Sequence, residues 1–134
     1  MKVLVTGATG FIGTHVVRAL QQHDHEVRAL IRPQSSAAAH LQTSEIEIVA
    51  GDILDAGSCR RAVTGCDAVL HLAADFRLWA PDPGDIVRTN VEGTRNIMQA
   101  ALTAEVRRVV HTSTIVALDP SPEDPEPRPA DPAQ

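Results

Sequence analysis

The sequence predicts an α/β domain, a doubly wound parallel sheet of about five strands in the order 3-2-1-4-5. Three observations predict it. Short strand-like apolar runs alternate with longer stretches of helical periodicity, the pattern of a parallel sheet covered by helices. The first strand leads directly into "VTGATGFIG", which places Gly7, Gly10 and Gly13 between a strand and a helix. A length of 134 residues with 43% apolar content suits one domain with a modest core.

Taken in order, Lys2 to Thr6 reads as the first strand. Phe11 to Gln22 is a helix with an apolar stripe at Ile12, Val16, Val17 and Leu20, and Arg18, Gln21 and Gln22 lie on its polar side. Glu26 to Ile31 is the second strand, Pro33 to Ser44 a loop or weak helix, and Ile46 to Ala50 a third strand ended by Gly51. Asp55 caps a short helix through about Val63, its carboxylate accepting from the free amides of the first turn. Asp67 to Leu72 is strand four. From Asp85 to Thr103, Ile86, Val87, Val91, Ile97, Met98, Ala101 and Leu102 mark a long amphipathic helix. Val106 to Thr112 is strand five, and the pattern then stops. "DPSPEDPEPRPADPAQ", from Asp119 to Gln134, has almost nothing to bury and is expected to be a disordered, extended tail. Residues 1–118 are therefore read as the domain and 119–134 as its tail, with no internal repeat.

Composition narrows the function classes. A net charge of -5 argues against a nucleic-acid surface, which needs clustered Lys and Arg, and points to a small partner. The apolar run between Lys2 and Thr6 is far too short for a signal peptide or a membrane span, so a cytoplasmic protein is expected. Cys59 and Cys66 have no metal-ligand partners at zinc-type spacing and read as reduced core thiols. The chain has no tyrosine, and Lys2 is its one lysine.

The glycines carry the first chemical expectation, a dinucleotide. Gly7 permits a tight turn out of the strand, Gly10 lets the backbone approach a pyrophosphate, and Gly13 lets helix and sheet pack closely. The helix N-terminus then offers free amides and a partial positive charge to phosphates. At the end of the second strand, an acid would take the ribose hydroxyls of NAD and repel a 2′-phosphate. Arg32 stands there instead, with donors suited to phosphate. NADP is expected to be preferred, with NAD as the alternative and an inert exposed arginine as the competing reading.

The glycine spacing, TGxxGxxG, together with "GDILD" at 51–55, "HLAA" at 71–74, "NVEGTRNIM" at 90–98 and "VVHTST" at 109–114, resembles the extended short-chain dehydrogenase/reductase family of epimerases, dehydratases and dihydroflavonol-reductase-like enzymes. The likeness covers about residues 1 to 118, and "ADFRLWAPDP" at 74–83 looks like the hopanoid-associated sugar epimerase subgroup. The resemblance implies a Rossmann-type sheet, with Thr9, Phe11 and Ile12 beside the three glycines at the cofactor. It implies that Asp52 and Ile53 flank the adenine, and that Leu72, Ala73 and Ala74 run past the ribose. It further implies that Asn90 steadies the sheet edge near the nicotinamide, with Thr112 and Ser113 beneath that ring. Thr114 stands where the family often keeps a catalytic Ser or Thr, and its hydroxyl can donate the same hydrogen bond.

Other polar residues fit less specific roles. His15, His23, His25 and His40 read as solvated, without the third ligand a metal would need. His71 and His111 end strands at the cofactor edge, and the resemblance makes His71 a structural member of its turn. Arg77, Trp79 and Asp82 lie on the loop after strand four, the side where open α/β sheets bind ligands. Substrate contact and a plain surface loop with a partly buried Trp are both open readings for them.

In the resembled family a Tyr, activated by a Lys four residues later, supplies the general acid/base about thirty residues beyond the "HTST" segment. These 134 residues contain no such pair, so the expectation is a cofactor domain truncated before its substrate domain. Thr114 is then only part of a catalytic set. Strand five becomes an open sheet edge, and self-association through it and the long helix is expected. Three readings remain: the NAD(P)-binding portion of a reductase or sugar epimerase whose small-molecule substrate needs the other half, a stand-alone NADP(H)-sensing module, and a remnant without function.

Overall fold

The computed structural model describes residues 1–33, 35, 41 and 45–114, with the backbone of 118–119 and 128–129. The elements are β1 (Lys2–Thr6), α1 (Phe11–Gln22), β2 (Glu26–Ile31), β3 (Ile46–Ala50), α2 (Ala56–Val63), β4 (Ala68–His71), α3 (Pro83–Thr103), β5 (Arg108–His111), β6 (Leu118–Asp119) and β7 (Arg128–Pro129). The first five strands form one parallel sheet ordered β3-β2-β1-β4-β5, as expected.

Alternation along the central strands divides the core between two faces. Val3 and Val5 of β1 join Val27, Ala29 and Ile31 of β2 beneath Val17 of α1. Leu4, Leu30 and Val69 face the other way, against Cys59, Ala62 and Val63 of α2 and Ile97, Ala100 and Ala101 of α3. Because side chains on a strand alternate with period two, adjacent residues of β1 serve opposite layers.

Several boundaries differ from the sequence reading. Helix α3 begins at Pro83 rather than Asp85, because the Asp82 carboxylate accepts from the Gly84 amide at 2.8 Å and proline fits a first turn whose N–H has no helical partner. β4 and β5 are shorter than the expected 67–72 and 106–112. At the start of β5, the Val106 amide turns back to the Ala101 carbonyl at 2.9 Å and closes α3 instead of entering the sheet. Asp55 does cap α2, accepting from Gly57 and Ser58 amides at 2.9 and 3.1 Å. Its carboxyl is held below the usual range chiefly by the Ser58 hydroxyl.

The helical stripes are narrower than their periodicity suggested. Ile12 is exposed at the start of α1, and Val87, Val91 and Leu102 stay exposed on α3. Most of Pro33–Ser44, including His40, lies outside the described residues, although Leu41 is buried against the α1 face. In the proline-rich segment β6 pairs antiparallel with β7, and the remainder of 119–134 lies outside the described residues.

A buried cation locks the lower end of the sheet. Arg28, only 8% exposed, points from β2 toward the C-terminus of α2 and donates to the carbonyls of Ala62 at 2.8 Å and Thr64 at 2.6 Å. Positive charge at the last turn of a helix also complements its dipole. Glu47 of β3 balances that charge, 2.9 Å from Arg28 and 2.6 Å from the Lys2 ammonium. The hydrogen bond from Lys2, then that from Arg28, holds the Glu47 carboxyl below the usual range.

A buried histidine occupies the upper end. His71 is fully buried, and its Nδ1 lies 2.7 Å from Thr6 Oγ1 and its Nε2 3.0 Å from Thr94 Oγ1. Its ring stacks on His111 with centroids 5.1 Å apart. Burial, assisted by His111, pushes the His71 pKa down to about 4.

Two stability measurements check these locks. Arg28→Leu should cost about 2 kcal/mol in urea unfolding, because the buried Ala62 carbonyl and the part-buried Thr64 carbonyl lose their donor, whereas Glu47→Gln, at a half-exposed site, should cost under about 1 kcal/mol. The unfolded chain takes up the His71 proton near pH 6.5 and the folded chain only near 4. Stability from a neutral His71 is therefore fully present above pH 6.5 and lost as pH falls toward 4, by roughly 3 kcal/mol in all. Urea melts at pH 7 and pH 4.5 should show that slope in the parent and lack it in His71→Asn.

Candidate functional site

The site starts from the turn between β1 and α1. Gly7 adopts φ +71°, a conformation that disfavours other residues, and a side-chain carbon there would lie 2.8 Å from the Ala73 nitrogen. At Gly13 a side-chain carbon would overlap the Gly7 carbonyl oxygen and the Ala8 backbone. Gly10 is different: the Gly7 oxygen at 3.3 Å is its one near neighbour, and the rest is open space. Glycine at 7 and 13 is thus required by the protein's own backbone, while glycine at 10 leaves room on the open side.

That open side faces an uncapped helix end. Gly10 is the N-cap of α1 in extended conformation, and no side chain caps the amides of the first turn. The Gly10 amide donates to the Gly7 carbonyl and the Thr14 amide to the Gly10 carbonyl, each at 3.0 Å, which leaves the Phe11, Ile12 and Gly13 amides without a helical partner. Uncapped amides and the positive end of the dipole together favour an anion.

A cleft of about 840 Å³ opens above this turn. It brings together Gly7, Thr9, Gly10, Phe11, Ile12 and Gly13 from the turn and Arg32 from the end of β2. Asp52 and Ile53 join them from the turn after β3, as do Leu72, Ala73 and Ala74 from the exit of β4. Four residues that the sequence assigned to the cofactor or to catalysis do not line it. Asn90 sits behind the wall, and Thr112, Ser113 and Thr114 are exposed beyond the end of β5.

Asn90 has a defined task. Its side chain accepts from the Asp75 amide at 2.7 Å and donates to the Asp75 carbonyl at 2.9 Å, clipping the chain where it leaves β4. Two more tethers come from the same helix. Thr94 meets His71, and Asn96 Nδ2 donates to the Ile53 carbonyl at 2.9 Å. Gly93 allows this approach, because a side-chain carbon there would lie 2.5 Å from Ile53 Cδ1. The segment "NVEGTRN" therefore positions the β3 and β4 walls of the cleft, a role that only the packing reveals.

Charges around the mouth are arranged in pairs. Arg77 grips Asp75 with Nη2 at 2.6 Å and Nε at 2.9 Å, so Asp75 titrates below the usual range, chiefly through that hydrogen bond, with Arg32 contributing from farther off. Arg88 pairs with Asp85 at 2.6 Å. Asp75, Phe76, Asp85, Arg88 and Thr89 line the cleft and were not singled out in the sequence. An acid two residues before an arginine was the visible signal for the first pair. Asp82 is spent on capping α3, and Trp79, which the surface-loop reading held partly buried, is 76% exposed.

The remaining candidates are peripheral. His15 is exposed with Phe11 edge-on at 5.3 Å, and His23 closes α1. Among the described residues no three His, Cys, Asp or Glu converge as a metal site, and no helix is long and apolar enough to cross a membrane. Cys59 and Cys66 are free and buried, and burial pushes the Cys59 thiol up to about 11. Lys2, bonded to Glu47, lies at the opposite end of β1 from the cleft. The arrangement can hold an anion with flanking apolar and cationic walls, while the one lysine stands at the wrong end for acid/base work there.

Comparison with known proteins agrees with this geometry. The model of the NAD dependent epimerase/dehydratase family matches residues 3–133. The chain is 44% identical over 123 residues to sterol demethylase protein B of Methylococcus capsulatus, covering 92% of this chain and 37% of that protein. It is 43% identical over 126 residues to cinnamoyl-CoA reductase 1 of Oryza sativa subsp. japonica, covering 90% and 36%. The crystal structure of a short-chain dehydrogenase/reductase superfamily protein from Agrobacterium tumefaciens with bound NAD superposes with a TM-score of 0.73 at 38% identity, over 87% of this chain and 34% of that one. The chain spans roughly a third of the length of these curated relatives. A parallel 3-2-1-4-5 sheet, an uncapped glycine turn at its carboxyl edge and a family match over nearly every residue lead to one conclusion: this chain belongs to the NAD dependent epimerase/dehydratase family.

Proposed function

We propose that the chain is the dinucleotide-binding part of a reductase or epimerase of the extended short-chain type, and that it prefers NADP(H). One observation carries the reading: the uncapped α1 N-terminus faces a cleft at Gly10, the one glycine of the β1–α1 turn that the protein's own packing leaves open. The Phe11, Ile12 and Gly13 amides would hold the pyrophosphate, Asp52 and Ile53 would flank the adenine, and Leu72, Ala73 and Ala74 would run beside the ribose. Arg32 would meet a 2′-phosphate, since a guanidinium pairs with phosphate in a fork and no acid stands beside it on β2. A bound dinucleotide would take hydride from a carbinol carbon or deliver it to the corresponding carbonyl carbon. Thr114, with Thr112 and Ser113, would supply a hydrogen-bond donor to the substrate oxygen.

A second reading, a module that binds NADP(H) without turnover, is favoured by the absence of tyrosine from these 134 residues and by the engagement of Lys2 elsewhere. The reading also gives α3 and the edge strand β5, with Val87, Val91, Leu102 and Val110 exposed, as the surface for self-association. Two free buried thiols suit the reducing cytoplasm.

Titration with NADPH and NADH, read by nicotinamide fluorescence, tests the proposal. NADPH should bind at least tenfold tighter than NADH, and Arg32→Ala should remove most of that difference while changing NADH affinity less than about threefold. Gly10→Ala should keep the parent circular-dichroism spectrum and lose at least tenfold in affinity for both. Equal affinities would defeat the NADP preference, and binding of neither would defeat the dinucleotide reading.

A further inference from the structure

We infer that His71 is a positioning residue for the dinucleotide cleft, acting through the Thr6 hydroxyl to set where the exit of β4 stands against the glycine turn. The inference deepens the dinucleotide reading and rests on it.

The geometry is a short relay at the carboxyl edge of the sheet. Thr6 and His71 are the last residues of β1 and β4 and are directly paired across the sheet. His71 Nδ1 meets Thr6 Oγ1 at 2.7 Å, and the same oxygen accepts from the Ala73 amide at 3.2 Å. Ala73 is one of the residues that walls the cleft, and its nitrogen is the atom that a side chain on Gly7 would strike. The imidazole thus holds the hydroxyl, the hydroxyl holds the amide, and the amide sits against the turn. At its other nitrogen His71 is held by Thr94 of α3 at 3.0 Å.

Two features separate this from plain core packing. First, two fully buried positions, Thr6 and His71, carry a hydroxyl and an imidazole where aliphatic side chains would fill the space without polar desolvation. Second, the relay is one-sided. Only the Nδ1 end leads to a cleft residue, while the Nε2 end leads into α3. A neutral ring serves both ends in either tautomer, because each threonine hydroxyl can donate or accept.

That asymmetry defines the experiment. An asparagine amide can replace Nδ1 and so keep the bond to Thr6, whereas a glutamine amide reaches the Nε2 position and keeps the bond to Thr94. NADPH affinity of His71→Asn should stay within about threefold of the parent, while His71→Gln should weaken it at least tenfold, the two variants having similar melting temperatures. Thr6→Val, which removes the shared oxygen with little change of shape, should match His71→Gln, and Thr6→Ser should restore binding. Equal NADPH affinity for the Asn and Gln variants, or parent affinity in Thr6→Val, would overturn the positioning role while leaving the dinucleotide reading intact. Failure of the parent chain to bind NADPH would overturn both.

Discussion

The structure depends on backbone lying directly against backbone at the glycine turn. The Gly7 carbonyl occupies the place where residue 13 would carry a side chain, and the Ala73 amide occupies the place where residue 7 would carry one. Three segments, the end of β1, the first turn of α1 and the exit of β4, are thereby brought closer than any side chain permits. The sheet order follows a matching logic: β1 is central because β2 and β4 flank it, and both of their outlets open on that turn.

The cleft walls are held from behind rather than from within. Helix α3 reaches one wall through Asn96 to Ile53 and the other through Thr94 to His71 and Asn90 to Asp75. Each contact satisfies a buried or half-buried polar group, so each adds orientation at little net desolvation cost. The long helix is therefore both a core layer and a ruler for the site, which explains why its buried residues include Gly93 and small Ala100 and Ala101 beside Ile97.

Electrostatics divides the molecule into two ends. At the amino edge of the sheet, Lys2 and Arg28 share the Glu47 carboxylate, and Arg28 also donates to the carbonyls at the C-terminus of α2. At the carboxyl edge, His71 is kept neutral and Arg77 and Arg88 are matched with Asp75 and Asp85, while the helix dipole of α1 is left uncompensated. An anion therefore finds attraction at the α1 N-terminus and at Arg32, which lines the same cleft.

The sequence by itself determined the fold class, the strand order, Asp55 as a cap and the three glycines of the turn, because period-two and period-3.6 patterns and glycine spacing are local properties of the chain, while the residues around that turn were implied by the likeness of its motifs to a known family. It read α3 two residues late, because Asp82 as a cap and Pro83 in the first turn were taken for loop. It also read the apolar positions of α3 as one stripe, since periodicity cannot tell which face a neighbour covers. Only the tertiary structure decided that Asn90 clips Asp75 from behind the cleft, that Arg28 is buried under α2, that Gly10 alone among the turn glycines is open, and that His71 joins Thr6 to Thr94. Those contacts join residues 15 to 65 positions apart, and their geometry exists only once β1, β4 and α3 have packed.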